Sequence, residues 1–226
     1  MKRSEVNGII READAFIKSH GYVLPPFAYW SPEEMVARGS GAIRERAMGW
    51  DITDYGRGHF DELGLFLFTV RNGLAGDLNA GRGMVYAEKI MISRKDQLSP
   101  MHRHIIKSED IINRGGGTLV LELFERDKNG DIDRSAEVVV PVDGEIVRLE
   151  AGGHLALAPG QSVTLHPNIW HAFWGEGADV LIGEVSTVND DRTDNIFVED
   201  IGRFSEIEEN EAPVHLLVSD YDNWMR

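Results

Sequence analysis

The chain has 226 residues, 42% of them hydrophobic, enough to bury one sizeable core or two small ones. Twenty-three basic against 38 acidic residues leave a net charge of −15, which repels phosphate backbones and anionic membranes. Nucleic-acid and membrane partners are therefore not expected, and a small neutral ligand is. The sequence holds no cysteine, so disulfides and thiolate metal sites are excluded and imidazole and carboxylate remain as metal donors.

Met1-Lys2-Arg3-Ser4-Glu5 runs into a charged helical pattern rather than a signal peptide's apolar core, and no apolar run approaches a membrane span. A soluble, cytoplasmic protein is expected. Val6, Ile9, Ile10, Ala13, Phe16 and Ile17 put one apolar stripe on a helix over residues 4–19, with Gly21 as its stop. Pro25-Pro26 forces an extended passage into Ser31-Pro32-Glu33-Glu34, a capped helix start that continues through Met35 to Ala42.

From Trp50 the pattern changes. Gly64 to Val70 is an aromatic, apolar run ending in the turn Arg71-Asn72-Gly73, and reads as a strand. Further strands are expected over 84–93, 102–106, 118–126, 137–142, 145–149, 154–157, 162–165, 172–174 and 180–188. The turns between them include Asp127-Lys128-Asn129-Gly130, Asp143-Gly144 and Pro159-Gly160. Many short strands at this spacing predict an all-β sandwich or barrel. One domain is expected over 1–226: a helical arm (1–60), a barrel (61–200) and an acidic tail (201–226) wrapping the outside.

His102 and His104 stand at i and i+2 on an extended segment, so both side chains leave the same face of a sheet. Glu109 follows closely and can fold back toward that face, and His171 far downstream can arrive on another strand. Three nitrogens and one oxygen around an inward-facing point suit a divalent transition metal. A His-x-His pair alone is a common coincidence, and Lys107-Ser108-Glu109-Asp110 can equally be a solvated loop. His20, His59, His154 and His215 have no such spacing and read as surface or core residues.

At these residues the chain resembles the cupin superfamily. The first half-motif, His-x-His, a short gap, Glu, then Gly, is matched by His102, His104, Glu109 and Gly115 or Gly116. The second is matched by Gly153, Pro159, Gly160 and a histidine. The resemblance implies a jelly-roll β-barrel with the ion inside. His166 and His171 compete for the last ligand position. His166 precedes Pro167-Asn168 and reads as a turn residue, whereas His171 opens the strand Ala172-Phe173-Trp174 and is favoured.

Over nearly its full length the chain is similar to the D-lyxose isomerase family. The resemblance rests on the leader helix, the run 25–30, Asp51-Ile52-Thr53-Asp54-Tyr55-Gly56, the closing run 183–191 and Gly202-Arg203-Phe204. It implies a manganese-dependent aldose–ketose isomerase acting on D-lyxose and D-xylulose, and often D-mannose and D-fructose. The family's ligands, carried over position by position, fall on His102, His104, Glu109 and His171. His166 departs from the family's pattern, where an apolar or proline residue is expected.

Such a reaction moves a proton between C2 and C1 and needs an acid–base group within hydrogen-bond reach. A single metal site favours transfer through a cis-enediol. Lys89 shares a strand face with Met91 and Ser93, so it lies inside the barrel or is a solvated lysine on the outside. Glu184 interrupts the apolar run Val180–Val185 and is either a pocket carboxylate or a wall salt bridge. Either can be the base, with the other polarising an oxygen. Arg203, Asp194 and Trp30 are weaker candidates for lining the sugar site. A cupin metal dioxygenase uses the same ligand set, and a non-enzymatic sugar-binding cupin would lack the acid–base pair. The apolar strands and the N-terminal arm suggest a homodimer.

Overall fold

The computed structural model describes residues 1–225. Helix α1 (Arg3–Ser19) opens the chain, followed by a 3₁₀ turn over Pro26–Tyr29 and the short helices α2 (Pro32–Ala37) and α3 (Gly41–Glu45). At the start of α2 the Glu34 N–H donates to Ser31 Oγ and the Ser31 N–H donates to the Glu34 carboxylate, at 3.2 and 2.9 Å, a reciprocal cap. The helix expected to run through Ala42 is instead two pieces. Gly39, with φ at 59°, turns the chain between them.

Twelve strands follow in the described residues: β1 (Gly49–Thr53), β2 (Leu65–Arg71), β3 (Tyr86–Ser93), β4 (Ser99–His104), β5 (Glu109–Arg126), β6 (Ile132–Asp133), β7 (Val138–Val142), β8 (Glu145–Leu149), β9 (Gly153–Leu157), β10 (Ser162–Leu165), β11 (Trp170–Thr187) and β12 (Asn195–Phe197). Helix α4 (Ala75–Ala80) lies between β2 and β3, and α5 (Tyr221–Trp224) closes the chain. The sheet runs β1-β2-β3-β11-β5-β10-β7-β8, with β4 on β11, β12 on β4, and β6 and β9 on β5. This is the all-β barrel with an N-terminal helical extension that the sequence predicts.

Two features escaped the sequence reading. Strands β5 and β11 are each 18 residues long and pass from one side of the barrel to the other. Their register breaks between Glu176 and Val180, opposite Gly116 and Gly117. A Cβ on Gly116 would overlap the Asp179 carbonyl, and one on Gly117 the Glu176 carbonyl. Only glycine allows this backbone approach, so the sheet folds over here. The glycines read as strand ends in the sequence, which hid the first half of β5 and divided β11 into separate strands over 172–174 and 180–188. The short strands β1 and β12 were also not anticipated as strands.

Alternation along the strands sorts the side chains. Trp50, Ile52, Phe66, Phe68, Ile90 and Ile92 face outward and pack against Val6, Ile10, Ala13 and Ile17 of α1. Burying each large aliphatic side chain there is worth roughly 1.5–3 kcal/mol, which holds α1 to the sheet. The opposite face of β2, β3, β5 and β11 supplies Leu65, Leu67, Met91, Ile111, Val180 and Ile182 to the barrel interior. Lys89, Glu184 and Asp51 share the parity of that inner face.

The acidic tail meets the start of α1. Glu208 bridges to Lys2, and the fully buried Arg3 guanidinium donates to both Asp220 oxygens at 3.0 and 2.8 Å and both Glu209 oxygens at 2.8 and 2.6 Å. Among the described residues no helix is long and apolar enough to cross a membrane.

Candidate active site

The site grows from the pairing of β4 with β11. His102 and His171 are register partners on these strands, and His104 lies two residues further along β4 on the same face. The donor atoms of the three imidazoles lie within 4.8 Å of one another. Each ring turns its Nδ1 to a backbone carbonyl: His102 to Pro100 at 2.8 Å, His104 to Asp194 at 3.3 Å and His171 to Ile169 at 3.1 Å. A carbonyl only accepts, so Nδ1 carries the proton in all three rings and Nε2 presents a lone pair.

Glu109, the first residue of β5, completes the group. Its Oε1 lies 3.3 Å from both His104 Nε2 and His171 Nε2. That oxygen is buried yet makes no hydrogen bond, which fits the two facing nitrogens being acceptors like itself. Burial, then the charges of His171 and His104, hold His102 well below the usual histidine range. Burial and then Lys107 lower His104. Three imidazoles, each oriented by its Nδ1 bond to a carbonyl, and one unspent carboxylate oxygen form a donor set that fits a divalent transition ion.

Beyond the imidazoles lies a row of alternating charges. Lys107 Nζ is 2.6 Å from Glu109 Oε2 and 2.9 Å from Glu184 Oε1. Glu184 Oε2 is 3.5 Å from Lys89 Nζ, its register partner across β3 and β11. Lys89 continues to Asp191 Oδ1 at 3.4 Å and donates to Asn189 Oδ1 at 2.7 Å. Asp191 Oδ2 lies 3.3 Å from Arg203 Nη2, which donates to Asp51 Oδ2 at 2.8 Å. Burial opposes the charge on Lys107, but Glu109, Glu184 and Asp191 raise its ammonium above the ordinary lysine range. Burial likewise opposes ionisation of Asp191, yet Lys89 and Arg203 hold it well below the usual carboxylate range.

The structure thus brings Lys89, Glu184, His102, His104, Glu109, His171 and Arg203 to one pocket. Asp194 shapes its rim from outside, its carboxylate accepting the N–H groups of Ile105, Ile106 and Lys107 at 2.8–2.9 Å. Trp30 is not at the site: it packs beside Phe27 and Arg38 at the outer cluster around Met35. His166 is exposed in the turn after β10.

The sequence matches the family model described as D-lyxose isomerase over residues 1–221. The chain belongs to the D-lyxose isomerase family. It is 45% identical over 226 residues to the D-lyxose/D-mannose isomerase of Serratia proteamaculans, covering 98% of both chains. It is 43% identical over 230 residues to the enzyme of the same name from Escherichia coli O157:H7, again covering 98% of each. In fold it is similar to the L-ribose isomerase of Cellulomonas parahominis, solved with L-psicose, at a TM-score of 0.59 and 19% identity, covering 92% of this chain and 98% of that one. The L-ribose isomerase of Acinetobacter sp. DL28 in complex with L-ribose gives 0.58 and 18% over the same shares. Membership of a sugar isomerase family sets aside the dioxygenase and binding-module readings.

Lys107, Asp191 and Asp51 were not singled out from the sequence of this D-lyxose isomerase family member. For Lys107 a signal existed. It stands at i−2 from Glu109, the same spacing that put His102 and His104 on one face. Asp191 and Asp51 carry no such pattern, since their partners come from distant segments.

Proposed function

We propose that this chain is a manganese-dependent isomerase interconverting D-lyxose with D-xylulose, and D-mannose with D-fructose, by proton transfer through a cis-enediol. The names of its two curated relatives support the substrates. The observation that carries the chemistry is the Glu184 carboxylate, buried between the Lys107 and Lys89 ammonium groups in the pocket of the three histidines.

His102, His104, Glu109 and His171 would hold the ion, and their mixture of nitrogen and oxygen donors suits manganese. A bound divalent cation supplies Lewis-acid polarisation of the sugar carbonyl and its neighbouring hydroxyl. Glu184 removes the C2 proton as base and returns it to C1. Lys107 and Lys89 fix both of its oxygens and place positive charge beside the oxygen on which the enediol's charge collects. Lys89 is bound to Asn189 and Asp191, which suits an electrostatic role and leaves the base to Glu184.

The test is ketose formation from lyxose, mannose, ribose and xylose by chelator-stripped protein, with and without added manganese. Metal-dependent ketose from lyxose and mannose is expected, with deuterium from heavy water entering the product at C1. Glu184→Gln should lower kcat by roughly 10²–10⁴-fold with its manganese content intact. Manganese bound at His102, His104, Glu109 and His171 without turnover of any aldose would overturn the reading.

A further inference from the structure

The pocket around the three histidines has a free volume of only about 40 Å³, room for a few waters but not for a five- or six-carbon sugar. A second cavity of about 570 Å³ adjoins it, and Asp191 lines both. Its barrel side is formed by Asp51, Thr69, Asn72 and Asn189, and Ala75 stands on its exposed rim. The Arg203–Asp51 ion pair belongs to the partition: Arg203 lines the inner pocket and Asp51 the second cavity.

Two atoms of that pair are unspent. Asp51 Oδ1 and Arg203 Nη1 are buried and make no hydrogen bond, although the other atom of each group is paired. A native structure rarely leaves such atoms idle without a ligand or water to satisfy them. An unspent acceptor beside an unspent donor matches hydroxyl groups, which both donate and accept. An anionic ligand would be opposed by Asp51 and Asp191, and a cationic one by Arg203. The chemistry selects a neutral polyol.

We propose that the second cavity holds the distal carbons of the open-chain sugar, with Asp51 accepting from, and Arg203 donating to, hydroxyls remote from the reacting C1 and C2. Asp51 is then a chain-length specificity residue. The proposal rests on the isomerase reading above. Burial, only partly offset by Arg203, already pushes the Asp51 carboxyl up, so a donor from the substrate relieves a real deficit.

The experiment compares kcat/KM for D-mannose, D-lyxose and the four-carbon aldose that keeps the C2 and C3 configuration of lyxose. In Asp51→Asn the mannose-to-tetrose and lyxose-to-tetrose ratios should each fall tenfold or more, with manganese content unchanged. Ala75→Trp narrows the rim without touching a buried group and should penalise hexose more than pentose, and pentose more than tetrose. Ratios unchanged in both variants overturn the proposal. If Asp51→Asn does not fold, Ala75→Trp decides alone, and ratios unchanged in it overturn the proposal. If the wild type isomerises no aldose, the isomerase reading fails instead, and calorimetry with an inert hexitol decides the cavity. Hexitol binding weakened tenfold by Asp51→Asn sustains the polyol subsite, and equal binding ends it.

Discussion

Lys107 Nζ lies 2.6 Å from Oε2 of Glu109, the carboxylate oxygen that is not beside the imidazoles. The same ammonium reaches Glu184 at 2.9 Å, so one cation fixes a proposed metal ligand and the proposed base together. Replacing it with methionine leaves two buried carboxylates without their shared counter-charge. Lys107→Met should move the acidic loss of manganese binding to higher pH, because Lys107 is the charge that most holds the Glu109 carboxyl down against burial. It should also cost about 3–5 kcal/mol in urea unfolding. A pH dependence of manganese binding that stays in place would mean Lys107 does not set the charge state of Glu109.

Metal removal gives a second prediction. His102→Ala should abolish stoichiometric manganese binding, measured by elemental analysis after dialysis, and with it all ketose formation. His166→Ala should leave both unchanged, since that ring sits exposed in a turn outside the pocket. Equal loss in the two variants would remove the basis for choosing His171 over His166.

The metal-free protein should lose stability as pH falls through about 6.5. His102 and His104 are held below that value in the folded chain by burial, with neighbouring positive charge adding to it. The unfolded chain titrates them near 6.5, so below that pH it binds more protons than the folded chain. Stability is therefore full above about pH 7 and declines on acidification. Glu109 adds a further decline below about pH 4.5: burial opposes its charge, but Lys107 and His104 hold its carboxyl well below the usual range. Melting temperatures of chelated protein between pH 8 and 5 check this. A flat profile would contradict the depressed pKa of His102 and His104 in the folded chain.

Arg3→Ala should destabilise the protein by about 3 kcal/mol or more in urea. The substitution strands Asp220, itself buried, without its bidentate partner. A change below about 0.5 kcal/mol would show that the tail is held by its apolar contacts alone.

What the sequence disclosed about the site follows from periodicity. The two-residue repeat placed Lys89 with Met91 and Ser93, and all three are buried on the barrel's inner side. It placed His102 with His104, and the cost of burying a charge marked Glu184 in its apolar run. Long-range partnerships left no local trace. Arg203 meets Asp51 across 152 positions of sequence, and no spacing rule connects them. The continuity of β5 and β11 through their fold was hidden for another reason: glycines chosen for close backbone approach look, in one dimension, like turns. Trp30 was misplaced because an aromatic near prolines says nothing about which side of an arm it packs on.

The Arg3 latch has a consequence for how this enzyme could be switched off. The stretch from Gly202 to Glu209 carries Arg203 into the pocket and, a few residues later, is clamped by Arg3 on the outside of the barrel. One wall of the pocket is therefore tethered to the first turn of α1, at the opposite end of the chain. A single proteolytic nick in the tail would release Arg203 and disarm the pocket while the strands stayed paired. Loss of activity should then precede loss of β-sheet signal, and the order of the two events is set by that tether.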